Sequence, residues 1–375
     1  MRVVFRTDAS LQMGSGHVMR CLTLADALTA RGAQCHFICR ALVGNFLGHI
    51  QRRGYAVNEL PAPNEPVPAA VAASERYKKY RSHRTVYAQW LGVSWQKDAQ
   101  QTRVILEKLQ PDWLVVDHYA LEQQWEAALR PHFKKLMVVE DLASRVHQCD
   151  LLLDQNLGRK PQDYASLVPA QCIVLTGPHY ALLLPEFAAL RTYSLQRREQ
   201  PVFKQLLITM GGVDQPNATG QVLKTLKGCP LPLDCRISVV MGRQAPWLEQ
   251  VRAQAQDMPW PTEVLVNISD MALRMADSDL AIGAAGSTSW ERCCLGLPTL
   301  MVVLAENQRP NAQALQGAQA VLLIGDVSDI AIQLPLAIDS STSRHRLRDI
   351  SSAAAAITDG QGVGDVLRAM GVPDD

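Results

Sequence analysis

Between an apolar run at Met1–Phe5 and a helical pattern opening at His17, the chain carries Arg6-Thr7-Asp8-Ala9-Ser10-Leu11-Gln12-Met13-Gly14-Ser15-Gly16, a glycine-containing loop. The run is too short for a helix, whereas Val18, Cys21, Leu22, Ala25 and Leu28 recur at helical spacing up to Arg31. A strand, a loop and a helix in that order restrict the chain to folds built from such units. Gly14 and Gly16 let the backbone approach a ligand with no side chain intervening. The free amides and positive dipole end of the helix suit an anion or a neutral imidazole. In an open α/β sheet, this is where a nucleotide-type ligand collects.

The same alternation continues. Strand-like runs at Val3–Phe5, His36–Cys39, Trp113–Val116, Leu136–Val139 and Leu151–Leu153 are separated by helical patterns such as Ala99–Leu109 and Glu122–Leu129. After a polar, charged stretch between Leu183 and Pro201, strands at Leu206–Thr209, Ile237–Met241, Val264–Val266, Leu280–Ile282, Leu300–Leu304 and Val321–Ile324 alternate with helices at Asn217–Leu226, Met271–Met275, Ser287–Leu295 and Asn311–Gln316. Alternation of this kind means parallel sheets with crossover helices. The expected architecture is α/β, with two doubly wound domains facing a cleft. The first is placed at 1–190 and the second at 201–345, with a C-terminal tail over 346–375 that is expected to be helical. A length of 375 residues accommodates two ordinary domains. The proline- and alanine-rich Pro61–Ala73 and the basic, aromatic Tyr77–Trp90 read as a surface excursion.

Composition narrows the partners. A net charge of +1 with interspersed signs gives no field for nucleic acid or an anionic membrane, so a small molecule is the expected partner. No apolar stretch approaches 18 residues and no signal-peptide pattern opens the chain, which places it in the cytoplasm, where a monomer is expected. Nine scattered cysteines, without Cys-x-x-Cys or zinc spacing, read as apolar residues in a reducing compartment, and no metal or cofactor is expected.

Several segments carry chemistry. In a dinucleotide fingerprint the third glycine would fall at Met19, and the second strand ends in Arg40 rather than an acid, which argues against NAD; a Walker Gly-Lys-Ser/Thr is absent. His17 is a candidate general base: at a helix start the dipole disfavours an imidazolium and leaves the ring able to accept a proton. A cap or a phosphate contact is the alternative. Arg20, one turn on, either bonds a carboxylate such as Asp8 or is solvated. Polar residues follow four strands, at Arg6 and Asp8, at Asp117-His118-Tyr119, at Glu140-Asp141 and at Asp154-Gln155-Asn156. In the second half, Gly211-Gly212-Val213-Asp214 can cradle a diphosphate or form a tight turn with a cap. The segment Gly286-Ser287-Thr288-Ser289-Trp290-Glu291 contains a capping box, Thr288-x-x-Glu291, or a phosphate loop with Glu291 on ribose hydroxyls. Asn307-Gln308 is either a cap or a ligand contact.

Taken in order, Phe5–Ser10 with Gly14–His17 and Arg20-Cys21, Asp117-His118-Tyr119, Cys149–Leu153, Gly177–Leu182, Gly211–Asp214, Ala285–Glu291 and Asn307-Gln308 resemble the UDP-2,4-diacetamido-2,4,6-trideoxy-β-L-altropyranose hydrolases of bacterial pseudaminic acid biosynthesis. Val213 departs from the threonine usual there. The resemblance implies two Rossmann-like domains of the GT-B type, with UDP on the second. It implies hydrolysis of a UDP-linked sugar by water attack at C1 with inversion. A similar spore-coat glycosyltransferase makes inverting transfer from a UDP-sugar the rival. By resemblance His17 is the base. Asp8 either orients it or stabilises positive charge on the sugar ring, and Asp117 or Tyr119 holds the acetamido groups. The implied substrate-binding set is Gly14, Gly16, Arg20, Asp117, Tyr119, Gly211, Gly212, Asp214, Gly286, Ser287, Thr288, Glu291, Asn307 and Gln308, with no metal.

Overall fold

The computed structural model describes residues 1–63 and 87–373. Most of the Pro61–Trp90 excursion lies outside them. The chain divides into two compact units. One comprises Met1–Gln155, Arg159–Thr176 and the stretch from Gly364; the other comprises Asn156–Gly158 and Gly177–Val363.

The first unit is built on seven parallel strands, β1 (Arg2–Thr7), β2 (Gln34–Arg40), β3 (Ala56–Leu60), β4 (Trp113–Asp117), β5 (Lys135–Glu140), β6 (Leu151–Asp154) and β7 (Ile173–Thr176), in the order β3-β2-β1-β4-β5-β6-β7. The chain builds outward from β1 in one direction and then from β4 in the other, so β1 and β4 flank the switch point. The inner strands are buried on both faces, which is why they read as unbroken apolar runs rather than as alternating patterns. Helix α1 (Gly16–Ala30) follows β1 and buries the predicted Val18, Cys21, Leu22, Ala25 and Leu28. The opposite face carries Val4, Ile38, Leu114, Val116, Leu136, Val138 and Leu152, packed with Leu106 and Trp125.

The second unit repeats the plan with six parallel strands, β8 (Gln205–Thr209), β9 (Arg236–Met241), β10 (Thr262–Val266), β11 (Leu280–Ala284), β12 (Thr299–Val303) and β13 (Leu322–Asp326), ordered β10-β9-β8-β11-β12-β13. Its switch point lies between β8 and β11. Alternation along each strand feeds two cores: Leu206, Ile208, Leu280, Ile282, Leu300 and Val302 enter one, while Leu207, Ala281, Met301 and Val303 enter the other.

The polar stretch between Leu183 and Pro201 contains a helix, Pro185–Arg197, within the second unit, with Pro185 in its first turn, where a missing amide costs nothing. Two edge strands, β3 and β7, are additions to the sequence reading. Beyond residue 343 stand the helices Arg344–Ala355 and Gly362–Ala369. No helix among the described residues is long and apolar enough to cross a membrane.

Candidate active site

Register decides which side chains meet at the end of β1. Thr7 pairs with Asp117 across β1 and β4, so both point to the face that α1 covers. Asp8 and His118, each one residue further on, point to the other face. The intervening loop folds on itself, with the Gly14 amide donating to Ser10 O at 2.9 Å and Gly14 at φ +75°, where a side chain would be strained. Gly16 then opens α1. His17, Arg20 and Cys21, three and four residues apart, line one face of it over Asp117.

His17 Nδ1 lies 2.6 Å from Asp117 Oδ1. Arg20 grips the same carboxylate, Nε donating to Oδ2 at 2.6 Å and Nη2 to Oδ1 at 2.7 Å. Its outer edge donates to Asp141, Nη1 to Oδ1 at 3.0 Å and Nη2 to Oδ2 at 2.8 Å. The Tyr119 hydroxyl donates to Asp141 Oδ2 at 2.6 Å. Burial opposes ionisation of Asp117, but Arg20 and then His17 outweigh it and hold the carboxyl well below its usual range. Asp141 is lowered against burial by Arg20, and the Tyr119 phenol is pushed up by burial and by Asp141. An ionised Asp117 only accepts, so the hydrogen bond assigns the proton of a neutral His17 ring to Nδ1 and the lone pair to Nε2. The Nε2 atom has no hydrogen-bond partner among the described residues and is not among the fully buried polar atoms. Tyr119 meets the His17 ring edge-on at 4.7 Å, and Tyr87 and Trp90 pack on Tyr119 at 4.9 and 5.7 Å. Arg145 lies over the Tyr119 ring at 5.6 Å and is itself tied to Glu140.

Asp8 does not touch His17. Its Oδ1 lies 2.7 Å from Arg6 Nη1 and accepts from the Arg40 amide at 2.6 Å, and His118 Nε2 stands 3.4 Å from its Oδ2. Arg6 and Arg40 also bond Asp98, which accepts from Trp125 Nε1 at 3.0 Å. This buried network lies on the far face of the sheet from α1. The orienting position expected of Asp8 is occupied by Asp117, because the strand alternates. Asp117 in turn accepts from His17, Arg20 and Cys21, which leaves it no free position for an acetamido group. The carboxylate partners of Arg20 are Asp117 and Asp141 rather than Asp8.

In the second unit the candidate loops follow three adjacent strands, β8, β11 and β12. Asp214 accepts from the amides of Ala218 and Thr219, each at 2.8 Å, and Asn217 from that of Gly220 at 3.2 Å, so these two side chains cap the helix Ala218–Leu226. Burial raises the Asp214 carboxyl. Gly211 (φ +84°) and Gly212 precede this cap, and their amides donate to nothing among the described residues. After β11, the helix starts at Thr288 with exposed Ser287 at its cap position and no side-chain cap bond. The expected Thr288-x-x-Glu291 capping box is therefore not formed: Thr288 lies one residue inside the helix and accepts from Arg292 Nη1 at 3.2 Å. Glu291 keeps partial exposure, yet the surrounding protein desolvates its carboxyl and pushes it up to about 7, with Arg292 pulling the other way. Gln308 Nε2 lies 3.6 Å from where a Gly286 Cβ would stand, and Gln308 Oε1 accepts from Leu304 N at 3.1 Å. Asn307 sits in the same short turn, Glu306–Gln308.

Residues 206–346 match the glycosyltransferase family 28 C-terminal domain. An uncharacterized protein of Methanocaldococcus jannaschii is 24% identical over 82% of this chain and 57% of its own length. The UDP-2,4-diacetamido-2,4,6-trideoxy-β-L-altropyranose hydrolase of Campylobacter jejuni is 25% identical over 83% of this chain and 95% of its own. A spore coat polysaccharide biosynthesis protein of Bacillus subtilis is 31% identical over 41% of this chain and 45% of its own. In structure, MurG of Acinetobacter baumannii aligns with a TM-score of 0.65 at 16% identity, covering 98% of both chains. The chain has the GT-B type of fold, two parallel-sheet α/β units like those of this neighbour.

The family 28 match takes in every candidate loop of the second unit in this GT-B-like chain, from Gly211 to Gln308, whereas the His17 cluster lies outside it. Within that cluster Asp141, Tyr87, Trp90 and Arg145 join the residues expected from sequence. For Asp141 the signal was present as a polar residue after a strand. A pocket of about 200 Å³ opens beside Tyr119, lined by Leu91, Val93, Ser94, Trp95 and Glu122 among others.

Proposed function

We propose that the protein hydrolyses a UDP-linked 2,4-diacetamido-2,4,6-trideoxy hexose at C1 with inversion, releasing UDP and the free sugar. The observation that carries this reading is the His17–Asp117 pair, which leaves Nε2 as an unbonded proton acceptor. In the proposed step, Nε2 takes a proton from water while the water oxygen forms the new bond to C1. The bond from C1 to the UDP oxygen breaks with its electron pair on the diphosphate. The imidazolium so formed is stabilised by Asp117 and later returns its proton to solvent. UDP departs as an anion without a proton donor, so one base suffices where ordinary glycosidases pair two carboxyl groups. General-base assistance of this kind contributes roughly 10²- to 10⁴-fold.

The amides of Gly211 and Gly212 and the Gly286–Thr288 loop hold the diphosphate in this reading, and Glu291 accepts from the ribose hydroxyls. Asp214 acts indirectly, by fixing the turn that presents the glycine amides. Tyr119, held by Asp141, forms a wall toward the sugar, and the adjoining pocket offers apolar surface for an acetamido methyl. The Campylobacter relative supports the hydrolytic outcome. Inverting transfer from a UDP-sugar to an acceptor is the second reading, favoured by the family 28 match; the same base would then deprotonate an acceptor hydroxyl.

The deciding experiment supplies the UDP-linked diacetamido sugar in water enriched in oxygen-18, without acceptor. Fast UDP release with label on the sugar establishes hydrolysis at C1. Label on UDP means attack at phosphorus and removes His17 from its role. Slow release accelerated by an acceptor establishes transfer.

A further inference from the structure

Arg292 is buried, yet no carboxylate lies within ion-pair distance of it among the described residues, its chain neighbour Glu291 included. Burial without such a partner lowers its guanidinium to about 10, which still leaves it charged at neutral pH. Room for the group is made by Gly283 on β11, where a Cβ would stand 2.5 Å from Nη1. A buried arginine without an acid is not by itself a sign of a ligand. Arg198 in the same unit is equally buried, but its charge is spread over the backbone carbonyls of Leu295, Ser278, Met275 and Ala276. Arg292 has one such carbonyl, Ala284 O at 2.6 Å, while its other two acceptors are the hydroxyls of Thr288 (3.2 Å) and Ser289 (3.2 Å), and Nε has no partner.

A hydroxyl that accepts from a donor-only group keeps its own proton to give away. Neither Thr288 nor Ser289 donates that proton to any group among the described residues. Thr288 is partly exposed beside Ser287 and Gly286. A permanent cation therefore lies beneath the loop, and it fixes a surface hydroxyl as a donor.

We infer that Arg292 is a positioning residue for a diphosphate, supplying the buried counter-charge of the Gly286–Thr288 loop and turning the Thr288 hydroxyl outward as a donor to a phosphate oxygen. This rests on the reading of that loop as the diphosphate site. An anion at the loop is the missing counter-ion of Arg292, and an uncharged nucleoside is not.

The test compares UDP, inorganic pyrophosphate and uridine on the full chain, with calorimetry for the anions and ligand-observed NMR for uridine. Arg292→Met is expected to weaken UDP and pyrophosphate at least tenfold, to leave uridine within twofold, and to flatten the salt dependence of UDP binding. Arg292→Lys is expected to restore part of the loss. Equal losses for UDP and uridine, or none, overturn the assignment. Should Arg292→Met fail to fold, Thr288→Val decides: a several-fold loss for UDP with uridine unchanged supports the inference, and unchanged UDP binding overturns it. If the wild type binds pyrophosphate but not UDP, the nucleotide reading fails, and the Arg292 inference stands only where its variant loses pyrophosphate. A wild type that binds neither overturns both.

Discussion

His17 and Asp117 stand one hundred residues apart in the chain and 2.6 Å apart in space, joined because Asp117 is the last residue of the strand beside β1. Replacing the imidazole removes the proposed base and leaves the second unit's loops untouched. His17→Ala or His17→Gln is expected to lower turnover at least about a hundredfold while UDP affinity stays within a few-fold. Steady-state kinetics beside UDP calorimetry check this; a mild effect on turnover would exclude His17 as the base.

Asp117 and Asp8 separate in the same assay. Asp117→Asn keeps the shape but allows the amide to donate to Nδ1, shifting the ring proton to Nε2, so turnover is expected to fall by about 10²- to 10⁴-fold. Asp8→Asn breaks a wholly buried ion pair with Arg6 and is expected to cost about 3–5 kcal/mol of stability, with turnover of the folded protein changed only a few-fold. Thermal melts and kinetics on both variants distinguish orientation from scaffolding.

The difference between those two acids marks where sequence reading stopped. Apolar runs marked all six strands of the second unit, the partly buried edge strands β10 and β13 included, and the five central ones of the first. The edge strand Ala56–Leu60 carries Asn58 and Glu59 and is half-buried, and no run marked it. The helix Pro185–Arg197 is polar along much of its surface and resembled a linker. His17 and Arg20 were legible because their loop lies within one segment. Their acids were not, since the choice between Asp8 and Asp117 depends on which way successive residues of two distant strands point. Arg292 sat unremarked inside an apolar helix pattern, its meaning supplied only by the missing carboxylate.

Glu291 gives a pH signature. Its carboxyl is pushed up to about 7 by burial, and ribose hydroxyls donating to it would favour the charged form. Binding then releases a proton, so UDP affinity is expected to rise as pH increases through about 7, and Glu291→Gln to flatten that dependence. For the free protein the sign is opposite: the stabilising contribution is full below the unfolded carboxyl value and is lost as pH rises through about 7. Calorimetric UDP titrations from pH 6 to 8 check the first effect, and melts over the same range check the second. A parallel pH dependence in Glu291→Gln would assign the titration elsewhere.

His118 sets the response to acid. Its Nδ1 accepts from the Ala120 amide at 3.0 Å, which places the proton of the neutral ring on Nε2, toward Asp8. Burial, against the pull of Asp8, lowers the ring to about 4. Between that value and the ordinary one near 6.5, the unfolded chain binds a proton that the folded chain refuses, so stability falls as pH drops through this window, by at most about 3 kcal/mol. Below it a second loss begins, because Asp117, Asp141 and Glu140 are held low by their arginines and their contribution disappears as they protonate. Protonation of Glu291 adds stability over the same fall in pH, so melting temperatures are followed in the Glu291→Gln background, where they are expected to decline from pH 6.5 to 4 and more steeply below. His118→Gln is expected to start less stable at pH 7 and to lose the upper part of that decline while keeping the lower. An unchanged slope between pH 6.5 and 4 in the variant would mean that another group, and not the buried ring opposite Asp8, carries the transition.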